Sequence, residues 1–234
     1  MRNRFGLTLA LGIATFLITG WLAAISPSEV AYPVEGDMRD PIIVFEMVTN
    51  EEQLVAAIGE SRAEHTALRD ALDRVNRIDF LYMTIYGLFI ATFFWAVAEA
   101  RADQRWLAGS ALAVVAVLAD VRETATLLAL TQDGGDTTAQ IEALVVSTWV
   151  KWFALGIAGA LAGLAMLTTP QTPVLRYLGA VAGVAALALT VAGYADQVRF
   201  PQALALAIFA CWVLMAVYAY RRSRAAGTLA RNLA

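Results

Sequence analysis

Cysteine, histidine and lysine each occur once in this chain of 234 residues, and charged side chains make up only 16% of it. Each scarcity removes a class of chemistry. With Cys211 alone there is no intrachain disulfide and no cysteine-based zinc framework. With His65 alone, bis-histidine haem and histidine-rich metal centres are excluded within one chain. No G-x-S-x-G elbow and no metal-ligand set appears; paired carboxylates could act as acid and base, but a non-enzymatic role is favoured and no cofactor is expected. The net charge of −3, with no Lys/Arg-rich run outside the termini, argues against a nucleic-acid partner.

What is present is apolar. Hydrophobic residues reach 59% and the mean hydropathy is +0.62, against about 45–50% apolar in soluble domains. Six stretches approach the roughly 20 residues needed to cross a bilayer: 5–25, 80–98, 106–130, 144–167, 174–193 and 203–220. The reading is an all-α integral membrane protein, a bundle of six transmembrane helices. A small, mainly helical extracytoplasmic insertion lies between helices 1 and 2. Its parts are 1–25, the first helix; 26–77, the insertion; 78–220, a five-helix transmembrane region; and 221–234, a cytoplasmic basic tail. The first stretch reads as an uncleaved anchor. A secretory signal peptide is the alternative, although its apolar run exceeds the usual 7–15 residues or so.

The insertion holds eleven acids against five arginines. Pro27, Pro33, Gly36 and Pro41 mark an irregular start, and residues 42–48 form a short apolar run, either a strand or an interfacial helix. Thr49-Asn-Glu-Glu52 reads as a capping box. Leu54, Ile58, Leu68, Leu72 and Val75 recur near helical spacing, predicting an amphipathic helix broken near Gly59. His65 is expected on its solvated face. Arginines fix the orientation. Arg2, Arg4, Arg101, Arg105, Arg176 and the tail fall on one side, and the acidic insertion and the Asp133-Gly-Gly-Asp136 loop on the other. The expected location is a bacterial-type inner membrane with both termini cytoplasmic.

Gly156, Gly159 and Gly163, with Gly179 and Gly183, predict close helix packing through G-xxx-G spacing, with a homodimer face as the alternative. The third stretch carries Asp120, Arg122 and Glu123 within its apolar length, and charges at such depth usually face a partner, cavity or ligand. At about 1.5 Å per residue, Asp120 and Glu123 lie roughly 21 and 25 Å from Trp106, in the outer third of the span. Lys151 falls at a comparable level, and Asp79 marks the outer entrance of the second stretch with Tyr82 and Tyr86 below it. Asp196 and Arg199 add charges nearby. Lys151 bridges to Asp120 or Glu123, with an Arg122–Asp79 contact beside it, would neutralise the set. The leading expectation is a non-enzymatic site, built from Asp79, Tyr82, Tyr86, Asp120, Arg122, Glu123 and Lys151. It would take a small molecule, a lipid headgroup or a protein partner. The alternatives are proton-coupled transport and an accessory role in a larger membrane complex.

Overall fold

The computed structural model describes residues 4–34, 40–169 and 172–232, the last seven as backbone only. Among them the secondary structure is helical throughout, without strands. The helices are α1 (Arg4–Ile25), α2 (Pro41–Glu46), α3 (Glu51–Ile58), α4 (Thr66–Arg101), α5 (Leu107–Leu130), α6 (Thr137–Leu167), α7 (Pro173–Ala195) and α8 (Pro201–Asn232). A 3-10 turn, Gln104–Trp106, leads into α5. Arg2, Gly36, Pro170 and the Arg231 side chain lie outside the described residues.

Five helices, α1, α4, α6, α7 and α8, are long and apolar enough to cross a membrane. The fifth helix in chain order, α5, has 24 residues, and Asp120, Arg122 and Glu123 stand at its centre. The six long helices form a closed ring in chain order. Each packs on the next, and α8 returns to α1. The α6–α7 interface is the most extensive and the α8–α1 seam the sparsest of the ring.

The α6–α7 contact is a meeting of backbones. A Cβ on Gly163 would stand 2.6 Å from the Gly179 carbonyl oxygen, and one on Gly183 would stand 2.7 Å from that of Gly159. Gly156 sits under Thr190 in the same seam. Where apolar burial gains little, such close van der Waals approach holds helices together. The glycines named from the sequence therefore lie between helices of one chain.

The expected amphipathic helix and second span are one continuous helix of 36 residues. Neither glycine nor proline occurs between Thr66 and Tyr86, so nothing interrupts the hydrogen-bond ladder where the side chains turn from polar to apolar. The break near Gly59 is real. Gly59 ends α3 at φ 82° and ψ 167°, a region open essentially to glycine alone. A Cβ there would also stand 1.9 Å from the His65 ring. His65 is thus packed in the corner, edge-on to Tyr32 with ring centroids 5.5 Å apart.

Residues 42–46 resolve as helix, part of α2, with Met47 as its C-cap. Asp40 caps α2 by accepting from the Ile42 amide at 2.9 Å, with Pro41 in the first turn. The capping box is displaced by one residue. Asn50, not Thr49, caps α3, its side chain accepting from the Gln53 backbone amide at 2.9 Å, while the Gln53 side-chain Oε1 accepts from the Thr49 amide and hydroxyl. Asn50 already offers a short acceptor at the cap, and Gln53, rather than Glu52, stands three residues on.

Helices α2 and α3 form a second apolar core with the near ends of α4, α5 and α6, centred on Phe45, Ile58, Leu72, Leu127 and Leu144. Buried Arg69 ties this layer together. Its guanidinium donates to the carbonyls of Ile58 (3.1 Å), Gly59 (2.8 Å) and Thr131 (3.1 Å) and to the Asp133 carboxylate (2.9 Å). Arg62 pairs with Asp70 and Asp73, and the Thr131 hydroxyl donates to Asp73 at 2.5 Å. The acidic Asp133 loop is thereby clamped to the α3–α4 corner. At the opposite end of the ring, Arg4 pairs with Glu99 at 2.7 Å and lies over Trp95, while Arg101 donates to the Ala165 carbonyl (2.6 Å) and to Thr169.

Candidate functional site

The buried charges gather at the end of the ring that α2 and α3 cover. Lys151 projects from α6 with 5% of its surface exposed, and three carboxylates surround its ammonium. They are Glu46 at 3.0 Å, Asp120 at 3.5 Å and Glu123, which forms the shortest contact. Two elements supply the three carboxylates. Glu46 ends α2, while Asp120 and Glu123 lie three residues apart on one face of α5.

Hydroxyl donors hold the second oxygens of Asp120 and Glu123. The Tyr86 phenol donates to Asp120 at 2.5 Å and Thr148 to Glu123 at 2.6 Å. Thr124 donates to Asp79 at 3.0 Å, and Thr19 of α1 donates to the Tyr82 phenol at 3.1 Å. Burial, above all, raises the Glu46 carboxyl above its ordinary range, and the nearby Lys151 ammonium opposes it. Three acids against one ammonium leave a negative excess that burial makes expensive unless protons or another cation offset it.

Beside this cluster lies a half-open cavity of about 300 Å³. Asp79, Glu46, Asp120 and Lys151 reach its wall, with Tyr82 and Tyr86 from α4, Trp152 from α6 and Trp212 from α8. Tyr86 stacks on Trp212 with centroids 5.2 Å apart and meets Tyr82 edge-on at 5.4 Å. Thr19 of α1 and Leu206 and Phe209 of α8 line the cavity. Leu206 and Phe209 are both exposed, so the cavity reaches the surface on its α8 side.

Of the residues expected in the site, Asp79, Tyr82, Tyr86, Asp120, Glu123 and Lys151 come together. Arg122 does not. It is exposed, beside a shallow groove lined by Ala125, Thr126 and Ala129, because two residues of helix turn it about 200° from Asp120. The expected Arg122–Asp79 contact is absent among the described residues, and Asp79 takes the Thr124 hydroxyl instead. Asp196 and Arg199 also stand apart. The Asp196 carboxylate accepts from the Val198 and Arg199 amides at 3.2 and 3.1 Å, shaping the turn into α8.

Glu46, Trp152, Trp212 and Gln202 were not foreseen. Glu46 carried one signal, as the only charge in the apolar run 42–48. Trp152 and Trp212 look like ordinary span residues, and Gln202 stands just before the sixth apolar stretch.

Among the described residues no group of three or more metal-ligating side chains is disposed to hold a metal ion. Comparison with protein-family models, with curated proteins and with solved structures finds no match. Fold and composition define a helical protein with several membrane-length apolar helices, and the chemistry must be read from the cavity itself.

Proposed function

We propose that this is a six-span protein of a cell inner membrane, with both termini cytoplasmic, α2 and α3 on the outer side, and a non-enzymatic cavity for a small molecule or lipid headgroup. Helix α5 supplies the sixth crossing. At 24 residues it is about 36 Å long, against a hydrocarbon core of about 30 Å. Asp120 and Glu123 turn inward, while Val114, Val115 and Leu118 are exposed on its outer surface. Arg122 lies within about 12 Å of the outer end, close enough for its long side chain to reach the headgroups.

One observation carries the binding reading. A cavity of about 300 Å³ with aromatic walls abuts the only lysine and its carboxylates. Concave, largely apolar spaces with a few convergent polar groups are the usual form of small-molecule sites. The test is native mass spectrometry of protein purified in mild detergent, with thermal unfolding on the same samples. Wild type is expected to retain a small molecule or lipid. Ala205→Trp, which fills the cavity from α8, is expected to lose it while remaining folded, as are Asp120→Asn and Glu123→Gln. If wild type retains nothing and the charge variants only melt earlier, the cluster is a structural network and the reading fails.

A further inference from the structure

Asp79 is the feature of the cavity wall that the lysine cluster leaves over. Lys151 lies within ion-pair distance of Glu46, Asp120 and Glu123. Among the described residues Asp79 has the Thr124 hydroxyl as its hydrogen-bond donor and no cationic side chain within 4.0 Å. It is half-buried, and it faces the cavity together with Asp40 and Glu46. The same wall carries the phenol rings of Tyr82 and Tyr86 and the indoles of Trp152 and Trp212.

Two further polar groups on cavity-lining residues lack partners among the described residues. The indole N–H of Trp152, a residue 7% exposed, is buried with no acceptor among the described residues. The side-chain oxygen of Gln202 is buried with no donor. Both residues line the cavity.

We propose that the cavity binds an organic ammonium ion, a small alkylammonium group bearing an oxygen substituent, with Asp79 as its counter-charge. This rests on the reading of the cavity as a ligand site and names the ligand's chemistry. Four arguments converge. The carboxylates outnumber the one ammonium, so a second cation restores neutrality in a place where unpaired charge is costly. Electron-rich faces of tyrosine and tryptophan attract a poorly hydrated alkylammonium, and such rings recur wherever quaternary ammonium groups are recognised. The cavity, about 300 Å³, suits a small head rather than an extended chain. Finally, the free indole donor and amide oxygen give an adjoining hydroxyl or ester something to bond. An anion is disfavoured by the same charge count, since the only lysine is already engaged.

The ammonium has two possible sources, a free amine reaching the cavity from the outer side or a phospholipid headgroup entering between α1 and α8. Tryptophan fluorescence and thermal unfolding of the detergent-purified full chain are followed during titration with choline and with tetramethylammonium. The same titration is run with 3,3-dimethylbutan-1-ol, the uncharged isostere of choline. Separately, the protein is placed in nanodiscs of phosphatidylcholine, phosphatidylethanolamine or phosphatidylglycerol, and retained lipid is read by native mass spectrometry.

Binding of the cations at least tenfold tighter than the neutral isostere, weakened at least tenfold by Asp79→Asn and unchanged by Arg122→Gln, supports a free amine. Retention of phosphatidylcholine or phosphatidylethanolamine over phosphatidylglycerol, lost in Asp79→Asn, supports the headgroup. Equal binding of cation and isostere overturns the proposal, as does preferential retention of phosphatidylglycerol. Failure of every ammonium probe also overturns it. In each of these cases the cavity reading stands or falls separately, on whether Ala205→Trp expels the mass that wild type retains. The comparison of charged and neutral probes uses wild type alone, so it holds even if Asp79→Asn does not fold.

Discussion

Lys151 is held by more negative charge than it can neutralise, and this asymmetry decides how substitutions at the cluster behave. Lys151→Met leaves Glu46, Asp120 and Glu123 facing one another in a buried site, and stranding buried charge in this way costs about 3–5 kcal/mol. A large drop in unfolding temperature in detergent is the expected result. Glu46→Gln removes one of three acids and leaves the ammonium two partners, so at neutral pH little or no loss is expected. The pH dependence follows in sign. The Glu46 carboxyl is raised above its ordinary value by burial. Its contribution to stability is therefore fully present below the ordinary carboxylate range and is lost as pH rises through its higher folded value. The stability of wild type relative to Glu46→Gln should decline from about pH 4.5 upward. A difference that grows with pH instead would mean that the Lys151 contact outweighs burial.

At the scale of the helix, glycine spacing and chain continuity do the organising. Gly183 admits no side chain, because its Cβ would meet the Gly159 carbonyl oxygen at 2.7 Å and the Gly163 Cα at 3.2 Å. Gly20 on α1 has nothing within 4 Å of that position. Gly183→Val is expected to push α7 off α6 and broaden or aggregate the peak in size-exclusion chromatography, whereas Gly20→Val elutes as wild type. The G-xxx-G spacing pointed to close helix packing here, with a homodimer face as the alternative, and the apolar helices were readable from hydropathy. The union of the amphipathic segment with the second span was harder to see. The change from polar to apolar side chains at Asp79 looks like a boundary, although the backbone runs straight through it. Asp120, Glu123 and Lys151 were legible as one cluster because helix geometry sets both depth and face. Glu46 was not, since it meets Lys151 across 105 residues of chain. No local pattern encodes where a six-residue helix docks.

For the molecule as a whole, the division into two chemically unlike ends makes the topology testable. Cys211 is fully buried, so the native chain is expected to resist a membrane-impermeant maleimide without any background substitution. Thr138→Cys lies at the α2–α3 end and Gln104→Cys at the arginine-rich end, and both positions are exposed. In intact cells stripped of their outer barrier, labelling is expected at position 138, and at position 104 only after the membrane is opened. The reverse pattern would invert the proposed orientation, and labelling of both in intact cells would contradict a six-span arrangement.

The ring closes between α8 and α1, and α8 contributes Trp212, Gln202, Leu206 and Phe209 to the cavity wall. In the proposed six-span arrangement, α1 waits in the bilayer while the other five long helices are made, and until α8 arrives the cavity beside the carboxylates and Lys151 is open on one side. The pocket is therefore the last part of the molecule to come into being. A chain arrested before Pro201 would hold almost every charged group of the site and still have no compartment to fill. Occupancy would thus report that biogenesis has finished, and a ligand present in the membrane would favour the fully inserted chain over its unfinished precursors.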